Sequence, residues 1–308
     1  MAARKSTSSE AIITTRRTSR KNRGKTRLFL RPGENPGEGI RTLAILQIKA
    51  AISELGEKNV SAESIHKART SVKKLRSIIQ LISPSLKKGP RETLEGLLQE
   101  SSLRTSLLRD SEVQVETFDH LLGNMTTPSE QLSPLRRGLT DVAKQHRVNG
   151  LRQIPRVIGF LRKAHREVSK WKLGDLEGKD LRRRIRRTYR RGRSTLDLAI
   201  AAGDTETFHE WRKLVKQLWY QLRITNRFWT DRAEPLIAEI GAIGELAGEE
   251  RDLTILSGTV RLGAKSEASL QLLDLIETQR SQLRAKAVSA GETFYEKKPK
   301  AFVEGLDL

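Results

Sequence analysis

The 308-residue chain contains no cysteine, which excludes disulfides, thiolate metal sites and thiol nucleophiles. Aromatic residues make up only 5% of it, and runs rich in Val, Ile and Thr are scarce, so β-strands are disfavoured. No apolar run approaches the roughly 18 residues that a membrane-spanning helix requires. Ile12 and Ile13 stand isolated near the start, where a signal peptide would carry an apolar core. The expectation is a soluble, cytoplasmic protein with no membrane partner. Acids are also in short supply: 37 Asp and Glu face 58 Lys and Arg, for a net charge of +21. Self-repulsion on that scale opposes a compact state, so a bound anion that screens it is expected; DNA, RNA, inorganic phosphate polymers and anionic membrane are the candidates. The Gly-rich phosphate loop, the His-Glu-x-x-His helix and the Gly-x-Ser-x-Gly elbow are all missing. His120, His146 and His165 have no partners at metal-ligand spacing. The sequence therefore points to no catalytic residue, no metal and no cofactor.

What is present is helical periodicity. Residues 1–31 are Arg, Lys, Ser and Thr with a single acid, Glu10, and read as a disordered basic arm. An organelle transit peptide shares that Arg- and Ser-rich signature, although the apolar face such leaders carry is thin here. Pro32-Gly33-Glu34-Asn35-Pro36-Gly37 forms a turn cluster between arm and fold. Beyond it the spacing of apolar residues predicts helices over about 38–55, 62–82, 91–122, 130–171, 178–202, 205–229, 233–259 and 266–290. Pro84, Pro90, Pro128, Pro134 and Pro235 fall between segments or at their starts, whereas Pro155 is expected to kink or split the fourth.

Two of these segments repeat one pattern. His66, Arg69, Lys73 and Arg76 fall within about 80° on a helical wheel, and His209, Arg212, Lys213, Lys216 and Tyr220 form a similarly narrow sector. Placing His66 on His209 also superposes Ile65 on Phe208, Val72 on Val215, Leu75 on Leu218 and Ile79 on Leu222, the apolar positions opposite the basic row. Ser61 and Asp204 coincide as N-caps, each followed by a Glu in the first turn. An ordinary solvent-facing helix mixes Glu with Lys for i,i+4 pairing, yet no acid lies between His66 and Arg76. The repetition predicts an all-α fold of two four-helix bundles related by a pseudo-twofold axis, with long antiparallel helices. Half 1 spans about 32–174 and half 2 about 175–300, with a tail at 301–308.

Each histidine begins a cationic row near a helix N-terminus, where it can donate to a phosphate oxygen and gain charge; binding is then expected to tighten as pH falls toward 6. Arg109-Asp110 and Arg251-Asp252 recur one residue off the repeat, with the Arg facing a ligand and the Asp fixing a neighbouring cation; local pairing with Glu249 and Glu250 is the plainer alternative. The densest basic run, 182–193, places Arg182, Arg186, Arg190 and Arg193 on one helical face. That face reads either as a nucleic-acid or localisation patch or as a further wall of the site built by the His helices.

These residues resemble the conserved histidine α-helical domain family, CHAD. The resemblance rests on His66-Lys67-Ala68-Arg69 with Lys73-Lys74-Leu75-Arg76, on His209-Glu210-Trp211-Arg212-Lys213 with Lys216 and Tyr220, on the Arg-rich stretch 186–193 and on the Arg-Asp pairs. It covers about residues 32–300. It implies a basic groove or pore that binds inorganic polyphosphate, association with polyphosphate granules, and no catalysis. It nominates His66, Arg69, Lys73, Arg76, His209, Arg212, Lys213 and Lys216, lined by the Arg182–Arg193 face. Gln217 and Trp219 stand where the first copy has Lys74 and Arg76, so the second half-site is expected to be weaker or closed by the indole. The triphosphate-tunnel domain that many relatives carry has no counterpart here, so no hydrolase activity is implied. Two other readings compete. One is a nucleic-acid-binding protein, or a weaker nucleic-acid contact through the arm, although aromatics and amides for base recognition are sparse on the stripes. The other is a histidine phosphotransfer protein, suggested by His209-Glu210-Trp211-Arg212 on a helix. Oligomeric state is not legible.

Overall fold

Side-chain caps set where the helices begin. Ser61 Oγ accepts from the Ser64 amide at 3.0 Å, Asp204 Oδ1 from the Thr207 amide at 2.7 Å, and Asn35 Oδ1 from the Glu38 amide at 3.1 Å. Each takes up an N–H that has no partner within its own helix. Gly203, at φ 67°, ends a helix in the left-handed conformation that a Cβ would disfavour.

The computed structural model describes residues 27–123, 129–227, 233–263 and 266–306. Among these the fold is all-α, with ten α-helices and no strand. They are α1 (Pro36–Leu55), α2 (Ala62–Ile82), α3 (Lys88–Leu103), α4 (Ser106–Leu122), α5 (Ser133–Ser169), α6 (Gly178–Ala202), α7 (Thr205–Thr225), α8 (Ala233–Gly263), α9 (Glu267–Phe294) and α10 (Pro299–Glu304). Short 3-10 turns occupy Ser83–Ser85 and Ser129–Leu132.

Within the first half α1 packs on α2 and α5, and α4 on α5; within the second, α6 packs on α7 and α9, and α8 on α7 and α9. The halves meet through α2 against α7, which carry the two histidines, and through α4 against α8, which carry the two Arg-Asp pairs. The apolar interior does not divide near residue 174. One core joins α1, α2, α3 and α5 to α6, α7 and α8 through residues such as Leu43, Ile78, Leu161, Ile185, Val215 and Ile243. A second, smaller core takes Phe118 and Leu121 from α4, Leu139 from α5, Leu256 and Val260 from α8, and Leu272 and Ile276 from α9. Each core draws on both halves.

Four expectations change. The segment predicted at 91–122 is two helices, interrupted at Arg104 and Thr105. Ser101, Ser102 and Thr105 donate their hydroxyls to carbonyls of α3, at 2.8, 2.9 and 3.2 Å. Hydroxyls that bond the backbone in this way compete with regular helix geometry. Of the kink or split expected at Pro155, the split does not occur: α5 runs unbroken from Ser133 to Ser169. The proline is on the solvent face, where water can replace the missing donor. The fold also begins earlier than the turn cluster suggests. Leu28 and Leu30 are buried, the Leu30 amide donates to the Ile224 carbonyl at 2.8 Å, and Gln47 Nε2 donates to the Arg27 carbonyl at 3.0 Å. The remainder of the predicted arm, residues 1–26, lies outside the described residues. Finally, the C-terminal segment is part of the core: Phe302 stacks on Tyr189 at 3.9 Å, and Tyr189 Oη donates to the Phe294 and Lys297 carbonyls at 3.1 and 3.0 Å.

Because Phe302 is buried against Tyr189, Phe302→Ala is expected to destabilise the fold by about 3 kcal/mol through lost burial and a residual cavity. Denaturant unfolding followed by circular dichroism checks this; an unchanged midpoint would place residues 299–306 outside the cooperative unit.

Candidate functional site

The site follows from how α2 and α7 spend their apolar faces. Ile65, Val72, Leu75 and Ile79 of α2 are buried, as are Phe208, Trp211, Val215, Leu218 and Leu222 of α7. His66, Lys73 and Arg76 are left exposed on the opposite side of α2, and His209, Arg212 and Lys216 are half-buried on α7. Since α2 packs on α7, the two basic rows approach one another rather than diverging. Lys73 lies within electrostatic reach of Arg69 on its own helix and of Arg212 and Lys216 on the other. Asp252, on α8, is within reach of Arg212 and also of Arg109, Asp110 and Lys73 from the first half. Side chains of α2, α4, α7 and α8 therefore share one patch.

Crowding of like charges is visible in the acid–base properties. Lys73 is pushed down to about 8, first by desolvation and then by Arg69, Arg212 and Lys216, with Asp110 opposing. Its solvent exposure and its strong desolvation are both met by an ammonium that reaches water while helices ring it. His209 is pushed down to about 4 by desolvation and by Arg251, Lys213 and Arg212. His66 is lowered by desolvation, Arg109 and Lys73, with Glu116 opposing. Lys216 is lowered by desolvation and Arg212. Burial likewise lowers Arg69 and Arg212, and the carboxylates that oppose it most are Asp110 for Arg69 and Asp252 for Arg212. Among the described residues neither Asp110 nor Asp252 closes an ion pair; each acts on its guanidinium through space.

The rows differ in how firmly they are held. Arg69 Nη1 donates to the Ser102 carbonyl and to Thr105 Oγ1, both at 3.0 Å, so it bridges the interruption between α3 and α4. Arg212 forms no ion pair among the described residues, and its Nε is buried without a partner, as is Nδ1 of His209. Lys213 pairs with Glu210, and Arg109 with Glu116 at 3.2 Å. Glu250 turns away from Arg251 to Arg280, at 3.3 Å, so local pairing does not tie up Arg251. On α8, Gly241, Gly244 and Gly248 face Trp219, Lys216 and Arg212. A Cβ at Gly244 would come within 3.0 Å of the Lys216 side chain, so glycine there lets the lysine lie against the backbone. Among the described residues no group of three or more His, Asp or Glu side chains is arranged to hold a metal ion.

The Arg182–Arg193 face does not join this patch. Arg186 and Arg190 line a separate cavity with Arg183, Arg184 and Arg187, and Arg193 turns to the Lys297 carbonyl at 3.5 Å. Arg182 is half-buried on the same flank of α6 as Arg186 and Arg193. The flank of α6 that reaches α2 carries Arg184, whose Nε donates to the Gln80 carbonyl at 2.9 Å.

Sequence reasoning missed Arg223, which with Lys74 extends the cationic surface: burial and Arg223 lower the Lys74 ammonium. Trp219 does not close the second row. Its ring lies under the Lys216 ammonium at 5.1 Å and the Arg223 guanidinium at 4.6 Å, a cation–π arrangement on one indole. The i−3 and i+4 spacing of these cations from Trp219 is the signal that could have revealed it.

The fold and family agree with known proteins. The crystal structure of the CHAD domain from the plant Ricinus communis superposes with a TM-score of 0.65, covering 89% of this chain and 96% of that one at 16% identity. PptA from Streptomyces chartreusis superposes with a TM-score of 0.63, covering 86% of this chain and all 100% of the other at 15% identity. No curated protein matches the sequence. The sequence model of the CHAD domain matches residues 46–261, a span that includes both histidine helices and both Arg-Asp pairs, and the chain belongs to the CHAD domain family.

Proposed function

We propose that this protein binds inorganic polyphosphate, without catalysing a reaction, on the patch shared by α2 and α7. The observation that carries the reading is the position of Lys73, which faces Arg212 and Lys216 of the other half at the α2–α7 contact. A linear polymer with a negative charge on every unit relieves that crowding along both rows, whereas base recognition would need amides and aromatics beside the cations. The family membership supports the choice of anion, and the near-coincidence of like helices at the junction supports the proposed duplication of the half-site. Attachment to cytoplasmic polyphosphate granules is the cellular counterpart of this role. Among the described residues no helix is long and apolar enough to cross a membrane.

Lys73, Arg212 and Lys216 are the residues to change together, because Arg69 also holds the α3–α4 junction and its loss would confound binding with folding. Lys73→Gln with Arg212→Gln and Lys216→Gln is expected to weaken binding of long-chain polyphosphate by about 100-fold or more, as charge-assisted contacts are lost. The same variant should keep its helicity, since mutual repulsion is removed with the charges. Titration with chains of graded length, with duplex DNA as competitor, reads this directly. Unchanged affinity would move the site elsewhere, and DNA displacing polyphosphate more readily than the reverse would favour a nucleic-acid role.

The pH dependence has two limbs. In the empty site Lys73 loses its proton near pH 8, and a bound polyanion draws its pKa back toward the ordinary lysine value. Binding above pH 8 therefore takes up about one proton, and affinity falls as pH rises. Lys73→Arg should abolish that uptake, measured by calorimetry in buffers of different ionisation enthalpy. The acidic limb departs from the tightening toward pH 6 expected from sequence. Burial and neighbouring cations keep His209 neutral in the empty site until pH nears 4. Tightening starts at the pKa of the occupied site and is complete only near that lower value, and His66→Gln combined with His209→Gln should flatten it.

A further inference from the structure

A second cationic concavity stands apart from the α2–α7 patch. It encloses about 420 Å³ between the end of α2, the Ser83–Ser85 turn, the first turns of α6 and the start of α10. Arg183, Arg184, Arg186, Arg187, Arg190 and Lys300 line it, and so do Leu81, Pro84, Leu176 and Pro299. The arginines are not equivalent. Arg184 is fixed to the scaffold, with Nε on the Gln80 carbonyl at 2.9 Å and Nη2 on Ser83 Oγ at 2.6 Å. Arg183 is paired with Asp180 at 3.3 Å, and Lys300 with Glu304 at 3.6 Å. Arg186, Arg187 and Arg190 are exposed and form no ion pair with a carboxylate among the described residues. Arg184 is held below the ordinary guanidinium range by burial and by Arg187, Arg191 and Arg91, which reports a positive field across this end of the molecule.

Three guanidiniums without carboxylate partners match more than one phosphate group, because each can offer a forked pair of N–H donors. The enclosed volume falls within the size range of small-ligand sites and does not suit a duplex. The apolar side sets the ligand class. Inorganic polyphosphate has only oxygens to present and gains nothing from Leu81, Pro84, Leu176 and Pro299. A molecule that joins several phosphates to a flat, weakly polar ring uses both walls at once. We infer that this concavity is a binding site for a nucleoside polyphosphate, with its phosphates on Arg186, Arg187 and Arg190 and its base against the proline and leucine wall. The inference is independent of the polyphosphate reading, since none of the α2–α7 patch residues lines this space.

The test uses the full chain in three forms: wild type, Lys73→Gln with Arg212→Gln and Lys216→Gln, and Arg186→Gln with Arg187→Gln and Arg190→Gln. The probes are adenosine triphosphate and inorganic tripolyphosphate, followed by calorimetry. Adenosine triphosphate is expected to bind the first variant with an affinity within about twofold of wild type, and to bind the second about tenfold or more weakly. In the first variant it should also bind about tenfold more tightly than tripolyphosphate, because only the nucleotide covers the apolar wall. The three α6 arginines are exposed, so far-UV circular dichroism of the second variant should match wild type. Equal affinity for the two probes, or loss of nucleotide binding in the first variant alone, would overturn the inference; the second result would place nucleotide binding on the α2–α7 patch, and neither would contradict polyphosphate binding there. A Pro84→Ser variant adds a control on the exposed part of the wall: it should weaken nucleotide binding more than tripolyphosphate binding, and an equal effect on both also counts against the proposal.

Discussion

Packing α2 on α7 forces two rows of like charge into each other's field, and the remainder of the molecule is organised around holding that contact. The opposing force is apolar. Each fully buried Leu, Ile or Phe on the inner faces of these helices stabilises the fold by about 1.5–3 kcal/mol. Ile65, Leu75 and Ile79 on one side, and Phe208, Val215 and Leu222 on the other, supply it. The lowered pKa values of Lys73, Lys216 and both histidines reflect desolvation first and then the repulsion between neighbouring cations that this packing sustains. Asp110 and Asp252 temper it without neutralising it, because neither closes an ion pair among the described residues. The result is a surface of incompletely neutralised positive charge, the property on which the proposed anion binding rests.

The two halves contribute to this contact on unequal terms. The first row is braced from behind: Arg69 satisfies a carbonyl and a hydroxyl at the α3–α4 interruption, so one guanidinium orients the patch and closes a helix end. The second row has no such interruption, since α8 runs unbroken from Ala233 to Gly263 where the first half uses two helices. Arg212 is consequently less committed than Arg69. The indole of Trp219 takes over part of the second row's organisation by receiving Lys216 and Arg223 on its ring.

Much of this was legible in the sequence because it depends on local rules. Helix positions follow from apolar spacing and from caps such as Ser61 and Asp204, and the shared patch follows from the repetition of one amphipathic pattern. What sequence periodicity did not give was anything decided by tertiary context. Pro155 reads as a breaker until its exposure to solvent is known, and the interruption at Thr105 depends on hydroxyls finding carbonyls behind them. Leu28 and Leu30 are too few and too flanked by charge to mark a packed segment; their burial is set by a slot beside Ile224. The α6 arginines show the limit most clearly. A helical wheel fixes which of them share a face, yet only the docking of α10 and the end of α2 decides what that face looks toward.

Gly244 on α8 has a consequence for how readily the second row can act. With Gly244 facing α7, the long side chain of Lys216 rests against bare backbone. A lysine confined in this way has surrendered part of its rotational freedom before any partner arrives. The entropy normally forfeited when such a flexible arm is immobilised is then already spent in folding, and the arm is preorganised. One missing methyl group on α8 thus tunes the readiness of a cation on its neighbour.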